Sequence, residues 1–151
     1  MKSSGTFEKL LNENGVLIYK TQGSSMRPLF KQNRDLVIIR PVSGELKKYD
    51  VPLYVRECDG RYVLHRIIGF GDGVYIIRGD NTYRKEYIPR QNVIGVLSEF
   101  KRKGKNHSVN ERGYRLYSRL WNFLYAPRYV LHGVEHVLWK AKKRFFNGGN
   151  K

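Results

Sequence analysis

Gly23-Ser24-Ser25-Met26-Arg27-Pro28-Leu29-Phe30 is the stretch from which the rest of this chain is read. Val16-Leu17-Ile18-Tyr19 precedes it and Leu36-Val37-Ile38-Ile39 follows it, two apolar, β-branched runs that predict strands. Gly23 admits backbone angles that other residues resist, and Pro28 fixes its own φ while turning Arg27 away from helix. The octet is therefore a bend between strands that holds a small hydroxyl residue, Ser25, exposed and aimed. A nucleophilic serine needs that placement. Taken alone, the octet equally describes an ordinary turn.

Short strands recur beyond it. Val51–Glu57 and Arg61–Gly69 are apolar runs joined through Asp59-Gly60, a two-residue hairpin signal. Gly71-Asp72-Gly73 turns into a strand at Val74–Arg78, Gly79–Thr82 is a loop, and Asn92–Phe100 is a last strand. Pro52 inside the Val51–Glu57 run suits an edge strand. Before the octet, residues 3–12 predict a short helix with Phe7, Leu10 and Leu11 on one face, closed by the turn Asn14-Gly15. The pattern is mainly β: a small barrel or folded sheet over residues 1–100, with a short N-terminal helix.

Residues 101–111 are polar and read as a linker. Past them the spacing becomes helical, with Tyr117, Leu120, Trp121 and Leu124 on one stripe and Leu131, Val134, Leu138, Ala141 and Phe145 on a second. Pro127 breaks or restarts the helix between them. Residues 112–151 are thus expected to be a basic amphipathic helical extension. Charge separates the two parts: residues 1–100 carry 16 Lys+Arg against 11 Asp+Glu, and residues 101–151 carry 13 against 2. An acidic surface would be felt by the extension first.

At 151 residues and 40% hydrophobic content the chain can build one well-cored domain. A single cysteine, Cys58, excludes an internal disulfide framework and a zinc-finger spacing, and suits a reducing, cytoplasmic setting. Met1 to Asn14 is polar, unlike a secretory signal. The longest uncharged runs, Gln91–Ser98 and Leu120–Pro127, are eight residues each, against the ~20 apolar residues that a spanning helix needs.

Three residues downstream supply what a serine hydroxyl lacks. His65 lies 40 positions after Ser25 in the otherwise apolar Tyr62–Gly69, Asp80 comes 15 later in Arg78-Gly-Asp-Asn-Thr82, and Glu86 six after that. An imidazole, mostly neutral near pH 7, can take the hydroxyl proton. A carboxylate on its other nitrogen would set the tautomer and steady the imidazolium. Each residue also has a plainer reading: a satisfied core histidine for His65, a turn cap for Asp80, a surface ion pair with Arg84, Lys85 or Arg90 for Glu86. His107, His132 and His136 lack the companions of a metal site, so no metal is expected.

Ser25-Met26-Arg27-Pro28, Asp35-Leu-Val-Ile38, Tyr49-Asp50-Val51, His65-Arg66-Ile-Ile-Gly69 and Gly79-Asp80-Asn81 resemble, in this order, the boxes of type I signal peptidases. The histidine resembles their Ser/His branch. The resemblance covers about residues 20–100. It implies the β fold shared with LexA-like self-cleaving repressors, and a serine endopeptidase without metal or cofactor that cuts an extended peptide after small residues. By position it makes Ser25 the nucleophile and His65 the general base. Glu86 and Asp80 match the family's two acidic positions around the Gly-Asp-Asn box. Gly23, Ser24, Ser25, Met26 and Pro28 fall where oxyanion and substrate contacts are made. Two departures stand out. Gly23 replaces a serine whose hydroxyl helps bind the oxyanion, a donor whose loss costs ~2.7–4 kcal/mol of transition-state stabilisation. The membrane anchor usual in the family has no counterpart in the apolar runs.

The expectations are therefore a peptidase acting on a precursor or leader peptide, with two alternatives: an inactive peptide-binding module of the same fold, or a basic nucleic-acid-binding protein. For the extension the open readings are packing on the β domain, contact of residues 112–146 with an anionic membrane as a peripheral attachment, and, ranked below, nucleic acid.

Overall fold

A computed structural model describes residues 6–131. The second helical stripe expected from Val134 onward, with His132 and His136, lies outside the described residues. The fold is mainly β, with a curled half-barrel sheet, a short N-terminal helix and helical structure after the last strand.

Helix α1 spans Thr6–Asn14 and buries Leu11, while Leu10 faces outward. Gly15, at φ +65°, ends it and donates its N–H to Leu11 O (2.9 Å), a left-handed C-terminal cap. The strands are β1 (Leu17–Lys20), β2 (Leu36–Arg40), β3 (Pro52–Val55), β4 (Tyr62–Leu64), β5 (Arg66–Phe70), β6 (Val74–Arg78), β7 (Glu86–Pro89), β8 (Val93–Arg102) and β9 (Lys105–Ser108). One antiparallel sheet has the order β1-β2-β8-β3-β4, with β9 paired to the far end of β8; the second is the meander β5-β6-β7.

Two apolar clusters form the core, one inside the larger sheet and one between the two sheets. Leu11, Leu17, Val37, Ile39, Leu53 and Leu97 lie in one, together with Met26, Leu29 and Phe30 from the octet. Tyr54, Ile67, Tyr75, Ile77 and Ile88 lie in the other. Neighbours Leu53 and Tyr54 point into different clusters, so β3 is buried on both faces. This central position corrects the edge expected from Pro52. The proline is tolerated because it is the first residue of the strand.

Three further expectations change. Arg61–Gly69 is not one strand: β4 pairs with β3 and β5 with β6, and His65 is the single residue at the corner where the chain passes between sheets. Glu86–Pro89, unassigned from sequence, is a strand whose Glu86 pairs with Ile77. Residues 101–111 are not a linker. They complete β8, turn at Lys103-Gly104 and return as β9 before helix α2 (Arg112–Phe123). The chain turns at Leu124 and is helical again over 125–131, with Pro127 in the first turn of the restarted segment.

The loop into β2 is pinned by the buried Asp35. Its carboxylate accepts the Lys31 N–H (2.7 Å) and both arms of the Arg34 guanidinium (2.6 and 2.7 Å). Burial alone would raise its pKa, but these bonds outweigh it and hold the carboxyl below its ordinary range. A depressed carboxyl stabilises the fold above its unfolded value of ~3.9 and loses that contribution as pH falls through the folded value. Acid titration of thermal unfolding should therefore show Asp35→Asn closing on wild type below about pH 4, after being clearly less stable at pH 7. An unchanged gap across the titration would rule this out.

Candidate active site

The octet reaches its place because its apolar half is core. Met26, Leu29 and Phe30 are buried, and the Phe30 N–H closes a turn on Met26 O (3.0 Å). Gly23 bends the chain at φ +76°. Ser25 is left half-buried on the wall of a cleft of about 1160 Å³ that His65 and Glu86 also line. The cleft runs along β1 (Tyr19, Lys20) on one side and β4 (Tyr62–Leu64) on the other, the two ends of the curled sheet. Phe7 packs against both Tyr19 (5.2 Å between ring centres) and Tyr62 (4.5 Å, stacked), bridging the two edges.

His65 is buried at its corner. Its Nδ1 lies 3.0 Å from Glu86 Oε1 and 3.2 Å from the buried Tyr54 hydroxyl. A carboxylate beside Nδ1 keeps a proton on that nitrogen and leaves Nε2 as the acceptor. The bond from His65, and one from Tyr54, hold Glu86 below its ordinary range against the opposing effect of burial. Burial and the facing Glu86 charge push the Tyr54 hydroxyl up, so it stays a donor.

Nε2 faces the octet across Gly79. A Cβ on Gly79 would stand 3.0 Å from His65 Nε2 and 2.7 Å from Ser25 O. One point thus lies about 3 Å from both the imidazole edge and the serine backbone, and only a hydrogen fits there. Asn81 then fastens the octet: its N–H donates to Ser25 O (2.7 Å) and its Nδ2 to Ser24 O (3.3 Å). Among the described residues no hydrogen bond joins the Ser25 hydroxyl to the imidazole; both bonds of His65 are made at Nδ1.

Asp80 is engaged by an arginine and not by the imidazole. Its carboxylate takes a two-pronged bond from the fully buried Arg66 (2.8 and 2.8 Å) and a third from the Tyr117 hydroxyl (2.9 Å). It does not reach the imidazole. Arg66 completes its donors on Tyr49 O, Ser118 Oγ and the Tyr114 hydroxyl. Burial opposes its charge, yet Asp80 more than compensates and keeps it firmly protonated. Trp121 Nε1 donates to Asp80 O (2.8 Å).

Of the other candidates, Gly23 and Met26 line the cleft with Ser25, whereas Ser24 and Pro28 are exposed and outside the lining. Open space surrounds the position of a Gly23 Cβ, so nothing stands in for the missing serine side chain at that point. Cys58 is exposed, and His107 stacks on Phe100 and bonds Glu111. No group of metal-binding residues occurs among the described residues.

This geometry coincides with a family match. The profile of the Peptidase S24-like family matches residues 4–98. The chain belongs to that family. The assignment places it in the superfamily of LexA and the signal peptidases, as the five boxes imply. A search of curated proteins finds no match. Helix α2 and the residues that cover Asp80 fall after the matched segment.

Sequence reasoning gave no role to Arg66, Gly79 and Asn81, although the boxes contain them, and passed over Tyr54. Arg66 carried a usable signal, because a guanidinium in an apolar strand calls for a buried carboxylate. Removing that carboxylate while leaving the guanidinium should be severe: Asp80→Asn is expected to lower stability by ~3–5 kcal/mol, and Tyr117→Phe, which loses a bond to a charged group, by ~1.5–3 kcal/mol, read from denaturant midpoints. Gly79→Ala should displace Ser25 from His65; a crystal structure of the variant with both in place would refute the close-approach argument.

Proposed function

We propose that the chain is a serine endopeptidase that cleaves a precursor or leader peptide bound in extended form. The observation that carries the reading is the shared cleft: Ser25, His65 and Glu86 line one groove, and Glu86 sits on the imidazole nitrogen turned away from Ser25. The family assignment supports peptidase ancestry in general.

In the proposed reaction, Ser25 Oγ attacks the scissile carbonyl carbon as His65 Nε2 takes its proton. The imidazolium keeps its Nδ1–H on the Glu86 carboxylate, which offsets the new positive charge. The tetrahedral oxyanion collapses, the C–N bond breaks, and the leaving amine carries off the proton from Nε2. Water, deprotonated by the same nitrogen, then attacks the acyl-serine and frees the acid and the hydroxyl. Backbone groups on the β1 and β4 edges offer an extended substrate a partner on either side.

A second reading, an inactive peptide-binding module, is favoured by Gly23, which offers no side-chain donor to the oxyanion, and by a Ser25 hydroxyl that makes no hydrogen bond to the imidazole among the described residues.

An active-site acylating probe and mass spectrometry of candidate precursor peptides separate the two. Ser25→Ala should abolish cleavage with thermal unfolding nearly unchanged. His65→Ala should abolish it and also lower stability, because the imidazole is buried and bonded to Tyr54 and Glu86. Glu86→Gln should reduce kcat by ~10²–10⁴ through loss of tautomer control. Peptide binding without acylation of Ser25 would favour the inactive module.

A further inference from the structure

The spacing of Tyr117, Leu120, Trp121 and Leu124 predicts one buried apolar stripe, but helix α2 packs otherwise. Its inward face is Tyr114, Tyr117, Ser118, Trp121 and Asn122, whose hydroxyls, indole N–H and amide serve Arg66, Asp80 and Arg78. The leucines consequently turn outward. Leu116 is 58% exposed, Leu120 49% and Phe123 81%. Seven of the twelve large hydrophobics exposed among the described residues fall between Leu116 and Leu131. The helix thus packs its aromatic, hydrogen-bonding face inward and turns Leu116, Leu120 and Phe123 to solvent.

Charge accompanies that side. Arg112, Arg115 and Arg119 are exposed on the same helix, and no acidic residue occurs from Arg112 to Leu131. A leucine-phenylalanine face flanked by arginines matches the boundary of an anionic bilayer: acyl chains take the apolar side chains and headgroup phosphates take the guanidinium groups. A nucleic acid would use the arginines but give the leucines nothing. No helix among the described residues is long and apolar enough to cross a membrane, so the contact would lie in the interface plane. No residue of α2 lines the cleft, so docking there leaves the substrate groove open.

We infer that the outer face of α2, centred on Leu116, Leu120 and Phe123, is a docking surface for anionic lipid bilayers. The inference does not depend on peptidase activity.

Flotation of the full-length protein with phosphatidylcholine vesicles, and with vesicles containing phosphatidylserine, tests it. Binding is expected only with the anionic vesicles. It should weaken at least about tenfold in Leu120→Ser/Phe123→Ser, and similarly in Arg112→Gln/Arg115→Gln/Arg119→Gln or at high salt. Circular dichroism and melting establish that each variant is folded. As a measurement free of that risk, a bimane label on Phe123→Cys in a Cys58→Ser background should shift to the blue when anionic vesicles are added. The inference is overturned if both vesicle types bind equally or neither binds. It is also overturned if the label does not respond, or if the double serine variant dissolves a dimer seen by sedimentation. Binding to duplex DNA that needs the arginines but not the leucines, without lipid binding, would assign the face to nucleic acid instead.

Discussion

The buried pairing of Arg66 with Asp80 is the constraint on which the rest of the arrangement depends. Each partner has a neighbour that matters. Arg66 follows His65 at the corner between the sheets, and Asp80 sits between Gly79, which the imidazole and Ser25 both approach, and Asn81, which grips the octet. Joining the two charges therefore sets the distance between the histidine and the serine loop. An ion pair of this kind adds little net stability, since desolvation consumes most of the attraction. Its value here is geometric. A buried guanidinium accepts few alternative positions, and those it rejects would move the imidazole.

Sealing the pair from water needs more than the β domain offers. Helix α2, outside the segment that matches the family, lays tyrosine and serine hydroxyls and an indole over it. The helix is thus seated by polar contacts to the pair and by Tyr114 and Tyr117 packing on the core, which leaves Leu116, Leu120 and Phe123 outside. That inversion explains how one short helix can serve the interior and still present a greasy surface.

Much of this could be read in advance, for identifiable reasons. β2 and β6 occur at Leu36–Arg40 and Val74–Arg78 as expected, because β-branched runs between turn residues admit few other structures. Ser25, His65 and Glu86 were legible as residue types in an order, and the fold brings them to one cleft. The corner at His65 was not legible: continuous apolar character does not say which sheet each half of a run will join. β9 was missed because Lys105-Asn-His-Ser108 is a polar strand with no apolar side chain to betray it. The α2 stripe misled because leucine spacing assumes an apolar seat, and this helix sits on a charged pair.

The curled sheet leaves its two terminal edges looking at one another across the groove instead of out into solution. Exposed edges invite indiscriminate pairing between chains; edges turned inward admit only a single narrow ribbon of backbone. A strand already paired on both sides inside a folded sheet has no such ribbon to lend. In the proposed reaction the first act of selection therefore concerns conformation, before any side chain is inspected: a segment must be free to lie extended before it can enter.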